Sequence, residues 1–491
     1  MGNSKFILEE ATIDSIHEAM KQGNVTSKQL VEMYLQRIEE HDEKLNSIVM
    51  TNPKAIEEAE KLDKQYRETN KMVGPLHGIP VVVKDQADTV GMPTTFGSIA
   101  FKDYEGNKDA TIITKLKKAG AIILAKTALP DFATSWFGFS SVSGETKNPY
   151  DITRDPGASS SGTGAAIAAN LGAVGIGTDC GGSIRVPSSF CNLFGMRVTT
   201  GMISREGLSP LVNFQDTPGP MTRSVKDSAI LIDVLSGYDV NDPMTGTALY
   251  KTTNYTNNLL EDSLKGARIG VLRQAFSTDA ESEPVNDTVN KAIEKMAAAG
   301  ATIIDPVSIP NLDEYLEKTS LYTTQSKKDF NDFIKSKNVS VSNVNEIYDN
   351  KQYHEELDLF EAIVTEAPEN PEKEPNYYMK RFSQELFRKE IVNVFGKYQL
   401  DAIVFPDVKV LPPVQDEIPN MDYTVLTFPT NTIIASQSSL PAISMPAGFT
   451  DDGIPVGIEL LGKPYDDGKL LSLAYSYEKH TSFRKPPAMF K

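Results

Sequence analysis

Residues 157–187 read GASSSGTGAAIAANLGAVGIGTDCGGSIRVP, and no other stretch of the 491-residue chain restricts its possible folds so tightly. Small side chains let backbone approach backbone or ligand closely, and glycine opens conformations closed to other residues. A flexible Gly/Ser linker has a similar composition. Here the intervening AAIAANLGAVGIG is apolar and periodic, so the stretch must be packed inside a core. It reads as a small-residue helix over 162–171 followed by a strand over 174–177.

The neighbouring sequence supplies a sheet for it to pack on. Residues 78–85, Gly-Ile-Pro-Val-Val-Val-Lys-Asp, form a continuous apolar run ending in two charges, as a buried strand does when its end carries a polar group into a cleft. A helix over 110–119 and a strand over 121–124 continue the alternation, which predicts an α/β fold: a large mixed central sheet flanked by helices on both faces. Ahead of it, residues 1–70 read as a helical wrap. Ile13, Ile16, His17 and Met20 share one helical face, Leu30, Tyr34, Leu35 and Ile38 another behind the cap candidate Ser27, and 55–66 form a third amphipathic stretch.

From about residue 264 the texture changes. Strands are expected over 267–272 and 301–304 around a helix at 285–298, then a polar helical region over 312–359 and a Pro/Glu-rich surface loop at 365–376. Strands at 401–405, 442–445 and 456–461 return the chain to the first sheet. The expected organisation is thus the wrap, a core sheet built from 71–263 and 400–491, and a second lobe of the same domain over 264–399 that covers the pocket. No internal repeat is present.

Composition narrows the function. A net charge of −17 with no offsetting basic cluster repels phosphate backbones and anionic lipid heads, so no nucleic acid or membrane partner is expected. Two cysteines, Cys180 and Cys191, exclude a disulfide framework and a structural zinc site. No metal and no cofactor is called for. The first residues carry no apolar targeting core, Phe6 stands where a myristoylation signal needs Ser or Thr, and no apolar run is long enough for a membrane helix, so a cytoplasmic location is expected.

Familiar nucleotide and hydrolase motifs fail. Gly175 and Gly177 are followed by Thr178, Asp179 and Cys180, not by a GxGxxG pattern, and in the GxxxxGK match at 457–463 Pro464 stands where Mg²⁺ needs a hydroxyl. GxSxG is absent, and His17, His41, His77, His354 and His480 form no HExxH and lie outside the Gly/Ser-rich stretch. Serine here needs a different base. A lysine serves if burial disfavours its charge, and Lys84 ends an all-valine strand. On its own, Lys84 reads more readily as an exposed strand-end lysine; its combination with the Ser-rich stretch overturns that reading.

Lys84 in VVVKD, Ser159 and Ser160 in GASSSG, and 178–187, TDCGGSIRVP, together resemble the amidase signature family. GPLHGIP at 74–80, Ala125-Lys126-Thr127, Asn148-Pro149, Phe194-Gly195, Gly219-Pro220-Met221 and the C-terminal GIPVGIELLGKP match as well, leaving only about 305–400 uncovered. The resemblance implies an acyl-enzyme on Ser183, with Ser159 relaying its proton to neutral Lys84 and a cis bond at Ala158–Ser159. It further implies an oxyanion hole from the backbone of Cys180, Gly181, Gly182 and Ser183, a supporting role for Ser160, a structural ion pair between Asp179 and Arg185, and a backbone substrate contact at Ala133. Cys180 reads as a small wall. Ala158 and Ser161 replace glycines of the commoner GGSSGG form, and Ala128 replaces a frequent Asn, which bears on pocket shape rather than on the reaction.

The implied activity is hydrolysis of a small-molecule carboxamide or aryl/alkyl amide to acid plus ammonia or amine. The alternative is the glutaminase subunit of a tRNA-dependent amidotransferase, although 305–400 lacks the RYDG and GFG-type stretches expected of it. A non-catalytic scaffold is disfavoured, because every reacting side chain is present. Tyr315, Tyr322, Phe330, Phe333 and Tyr348 in the cover read as core aromatics rather than a substrate platform. Monomer and homodimer both stay open.

Overall fold

The computed structural model describes residues 6–250 and 254–490; the first five residues, used above to read the amino terminus, lie outside them. In chain order the strands are β1 (Ile48–Thr51), β2 (Pro80–Lys84), β3 (Ile122–Thr127), β4 (Phe139–Ser140), β5 (Gly144–Glu145), β6 (Val174–Asp179) and β7 (Phe194–Arg197). They continue with β8 (Thr217–Thr222), β9 (Arg268–Leu272), β10 (Thr302–Val307), β11 (Ala402–Pro406), β12 (Ala442–Phe449) and β13 (Pro455–Leu461). All but the β4–β5 hairpin join one sheet in the order β1-β3-β2-β6-β8-β7-β12-β13-β11-β9-β10. The sheet is mixed: β2 runs parallel to both β3 and β6, whereas β6, β8, β7, β12, β13 and β11 are successively antiparallel.

Every residue of β2, β3 and β6 is buried, so both faces of this part of the sheet are covered. That explains their unbroken apolar runs. The predicted α/β architecture is the one observed, with helices packed around the sheet. Strands expected at 121–124, 174–177, 301–304 and 442–445 are present and extend further, to Thr127, Asp179, Val307 and Phe449.

Helices α1 (Ile13–Lys21), α2 (Ser27–His41) and α3 (Ala55–Thr69) account for most of the predicted wrap. Thr26, not Ser27, caps α2: its hydroxyl accepts the Gln29 N–H, and the Gln29 side chain returns to the Thr26 N–H. Ser27 is already helical, and its own N–H is taken by Asp63. The wrap also contributes β1, which pairs antiparallel with β3 and caps that edge of the sheet. Beyond α4 (Thr111–Lys118), the small-residue stretch becomes α5 (Ser161–Ala168), β6 and α6 (Arg185–Phe190). Every residue from 155 to 199 is buried. At Gly162 a side chain would meet the Ser47 carbonyl at 2.2 Å and the Ala128 nitrogen at 2.3 Å, so the glycine is what lets α5 lie against the end of β3.

The 312–359 region is four short helices, Leu312–Thr319, Tyr322–Ser336, Val344–Asp349 and the start of Asp358–Glu366. A long helix, Tyr377–Tyr398, follows the Pro/Glu-rich segment.

Candidate functional site

Three pieces of chain meet at the carboxyl end of β2. The strand carries Lys84 inward, the turn before α5 carries Ser159 and Ser160, and the turn between β6 and α6 carries Ser183. Lys84 Nζ lies 2.7 Å from Ser159 Oγ and 2.8 Å from Thr178 Oγ1, and Thr178 Oγ1 donates to Gln86 Oε1 at 2.6 Å. The Ala158–Ser159 peptide bond is cis. Ser160 donates its N–H to the Ser183 carbonyl at 3.1 Å, and its hydroxyl bridges the N–H and C=O of Thr178 at 3.3 Å each. The two serine-bearing turns are therefore tied to each other through backbone.

Lys84 and Lys126 sit in contrasting surroundings. Both are fully buried, on neighbouring strands. Lys126 has the Asp85 carboxylate at 2.7 Å, the Ala87 carbonyl at 2.9 Å and the Thr94 hydroxyl at 3.0 Å. Asp85 also accepts from the N–H and hydroxyl of Thr95. It therefore leaves Lys84 to hydroxyls, and among the described residues no carboxylate lies within ion-pair distance of Lys84. Burial lowers the Lys84 ammonium to about 7, with Asp216, Asp179 and Cys180 opposing the drop.

Asp179 and Arg185 pair as the resemblance implied, through two contacts of 3.0 Å, inside a larger fully buried network. Arg197 adds a third contact to Asp179 at 3.0 Å, and Glu459 takes the other end of Arg185 at 2.7 Å. Burial acts to raise the Asp179 carboxyl, but Arg185 and Arg197 outweigh it and hold the group at about 2. Arg185 also donates to the Thr432 carbonyl at 2.8 Å, and the Thr432 hydroxyl donates to the Gly181 carbonyl at 2.8 Å, which fixes the Cys180–Ser183 turn from both sides. Gly182 has φ +145°, and a Cβ there would lie 1.9 Å from Thr432 Oγ1. Among the described residues no partner takes the N–H of Gly181, Gly182 or Ser183.

Ser183 and Gly181 open onto a cavity of about 440 Å³. Ala133 lines it too, in a tight turn where Phe132 and Ala133 both have positive φ, 51° and 63°. The walls are mixed: Trp136, Leu211, Leu316, Leu359 and Phe428 supply apolar surface, Ser135, Ser320, Thr323, Thr430 and Gln437 polar groups, and Glu317 and Lys380 are the two charged side chains. Of the five cover aromatics, Tyr322 lines this cavity. The others pack elsewhere: Phe330 on Phe132, Phe333 on Phe96, Tyr315 on Phe387 and Tyr348 on Tyr353.

Cys180 is buried beside this turn; burial, and then Asp216, raises its thiol well above the ordinary value, so it stays protonated. Its carbonyl accepts from Gln215, which also reaches the Tyr322 hydroxyl. Sequence reasoning missed Thr178, Gln86, Trp136, Gln215 and Thr432, which serve here through contacts made only on folding; Thr178 alone carried a signal, standing beside Asp179 in the Gly-rich stretch. Among the described residues no cluster of three His, Cys or carboxylate groups is placed to hold a metal ion. No helix among them is long and apolar enough to cross a membrane.

Residues 29–471 match the family model described as Amidase. The chain is 32% identical to the A subunit of the glutamyl-tRNA(Gln) amidotransferase of Caldanaerobacter subterraneus subsp. tengcongensis, over 98% of each chain. Among solved structures, the native peptide amidase from Stenotrophomonas maltophilia superposes with a TM-score of 0.86 at 31% identity, covering 98% of both chains. The corresponding glutamyl-tRNA(Gln) amidotransferase chain from Thermotoga maritima gives 0.76 at 26% identity, covering 99% of both.

Proposed function

The chain belongs to the amidase signature family of amidohydrolases acting on C–N bonds, and from that premise we propose that it hydrolyses a carboxamide or an aryl/alkyl amide through an acyl-enzyme on Ser183. The observation that carries this reading is the buried lysine: Lys84 Nζ sits 2.7 Å from Ser159 Oγ, and among the described residues no carboxylate lies within ion-pair distance of it. Ser183 Oγ attacks the amide carbonyl, Ser159 takes its proton and passes its own to neutral Lys84, and the free N–H groups of the 181–183 turn receive the oxyanion. When the C–N bond breaks, the proton returns through Ser159 to the leaving nitrogen. Water then attacks the ester by the same relay in reverse, releasing the acid and restoring Ser183. Ser160 keeps the turns in register, Asp179 and Arg185 brace the loop, and Ala133 contributes a backbone contact from the cavity wall.

On this reading residues 264–399 form the lobe that chooses the substrate, a small-molecule amide. The TM-score of 0.86 to the peptide amidase, against 0.76 to the Thermotoga amidotransferase chain, supports a stand-alone enzyme. The second reading, a glutaminase subunit of a tRNA-dependent amidotransferase, draws its support from the 32% identity to the Caldanaerobacter amidotransferase chain. A panel of p-nitroanilides, primary amides, peptide amides and glutamine, assayed on the purified chain alone, separates the two. Turnover of simple amides without ATP, tRNA or a partner is the expected result. Activity on glutamine only, and only with a second protein bound, overturns the first reading in favour of the second.

A further inference from the structure

Gln86 stands two residues beyond Lys84, just past the end of β2, and is buried, as is Thr178 near the end of β6. Its side chain joins two different groups. Gln86 Nε2 donates to the Ser209 carbonyl, and Gln86 Oε1 accepts the Thr178 hydroxyl at 2.6 Å. A carbonyl can only accept, so the amide cannot be turned round: its NH₂ must face Ser209 and its oxygen Thr178. The main chain holds it there as well, since the Ser209 N–H donates to the Gln86 carbonyl at 3.3 Å and Ala87 forms a bridge with Leu208.

That orientation decides what passes between Thr178 and Lys84. A hydroxyl has one proton, and the Thr178 proton is spent on Gln86. Toward Lys84 Nζ, 2.8 Å away, the Thr178 oxygen therefore offers lone pairs alone, and the lysine must donate there. A neutral amine has two N–H bonds and one lone pair. With an N–H committed to Thr178, the lone pair is left for Ser159, whose Oγ lies 2.7 Å from Nζ.

We propose that Gln86 is a positioning residue for the base: by taking the Thr178 proton it fixes the direction of the Lys84–Thr178–Gln86 chain and reserves the lysine lone pair for the Ser159 hydroxyl. The inference rests on the reading of Lys84 given above. Without that acceptor, Thr178 can turn its own proton on the lysine and compete with Ser159. Thr178 and Gln86 border a polar cavity of about 760 Å³, but a water entering from it donates as readily as it accepts and cannot replace the fixed direction of the amide.

The test is the rate at which a fluorophosphonate labels Ser183 at its alkaline plateau, near pH 9, above the value of about 7 to which burial brings Lys84. Gln86→Met removes the acceptor and lowers that plateau by about tenfold. In a Thr178→Val background no hydroxyl is left to compete, so adding Gln86→Met changes the plateau by less than about twofold. Gln86→Glu has the shape of the wild type, which protects folding, and keeps an oxygen toward Thr178. Its plateau stays within about threefold of the wild type, while its charge moves the acid limb up. Penalties of Gln86→Met and Thr178→Val that multiply in the double variant mean that Gln86 only packs the turn, and the proposal fails; a Gln86→Glu plateau tenfold down does the same. The Lys84→Ala variant separates this failure from the larger one. Labelling that survives it at the wild-type rate removes the lysine reading itself; labelling that Lys84→Ala abolishes but Gln86→Met leaves unchanged removes only the role of Gln86.

Discussion

The buried centre and the helical cover contribute to the site in opposite ways. From 155 to 199 every residue is buried, side chains are small, and the turn between β6 and α6 is held by Arg185 and Thr432. The helices of the cover are more polar, and helix Tyr377–Tyr398 leaves Tyr378, Met379 and Phe382 more than half exposed. Both charged groups of the 440 Å³ cavity, Glu317 and Lys380, come from the cover, whereas the centre supplies Ser183 and Gly181. A reacting group must be held to a fraction of an ångström, and close packing of small residues does that. A substrate-selecting wall needs only shape and polarity, which exposed helices can change without disturbing the centre.

The sharpest way to break this division is at Ser183. Ser183→Ala removes one oxygen from the centre and leaves the packing untouched, so kcat falls by about 10³-fold or more with thermal stability unchanged. Mass spectrometry after fluorophosphonate treatment of the wild type places the adduct on Ser183; an adduct on Ser159 alone reverses the roles of the two serines. Next in size is Lys84→Ala, which lowers kcat far more than KM. In the wild type kcat/KM rises through an apparent pKa near 7, the value to which burial brings Lys84, and the limb is absent from the residual activity of the variant.

Gly182→Ala probes the packing instead of the chemistry. The new Cβ falls 1.9 Å from a Thr432 hydroxyl that is itself bonded to the Gly181 carbonyl, so the turn must shift and its N–H groups lose their aim. A loss of about 10²-fold in kcat is expected, with about 1–3 kcal/mol of stability. Wild-type kcat in this variant would show that the oxyanion lies elsewhere.

Lys84 also imposes a cost on the fold, and Lys84→Met measures it. The folded lysine titrates near 7 and the unfolded one near 10.5. Between those values the unfolded chain binds more protons, so wild-type stability rises with pH. Replacing the amine by an uncharged chain of similar length therefore raises the melting temperature most below about pH 7, and the gain shrinks toward zero near pH 10.5. A gain independent of pH would mean that Lys84 binds as many protons folded as unfolded, so that burial does not lower it.

Legibility followed the same division. Lys84, Ser159 and Ser183 were readable because a valine strand and a Gly/Ser stretch have few other uses, and the α/β alternation was plain wherever strands were β-branched. Strands β7 and β8 were not readable. TPGPMT carries Pro218 and Pro220, which argue against a central strand, yet β8 pairs with both β6 and β7. Strand β1 hid inside a helical-looking region because its four residues acquire a partner only when β3 arrives. The valine run singled out Lys84 but not what sets its surroundings apart from those of Lys126; the difference is the Asp85 carboxylate, which the chain turns toward one and away from the other. Of the partners of the site, Thr178 stood beside Asp179 in the Gly-rich stretch, whereas Gln86 and the distant Thr432 have no local signature.

The smallest expected effect tests the cover. Glu317 is exposed, Lys380 is half-buried, and neither makes an ion pair among the described residues, so both are free to meet a charge carried by the distal part of a substrate. An interaction across a solvated rim is worth about 0.2–1 kcal/mol, or up to about fivefold in KM. Lys380→Met should raise KM for amides with an anionic far end, and Glu317→Gln for those with a cationic one, while neutral p-nitroanilides change by less than about twofold. Salt must erase the difference, since screening shortens from about 10 Å at 0.1 M to about 3 Å at 1 M. The acid limb should keep its midpoint in both variants, because neither Glu317 nor Lys380 is among the groups whose charge bears on Lys84. Should either substitution lower kcat equally for charged and neutral amides, or move that midpoint, the cover takes part in the chemistry and the division between centre and cover does not hold.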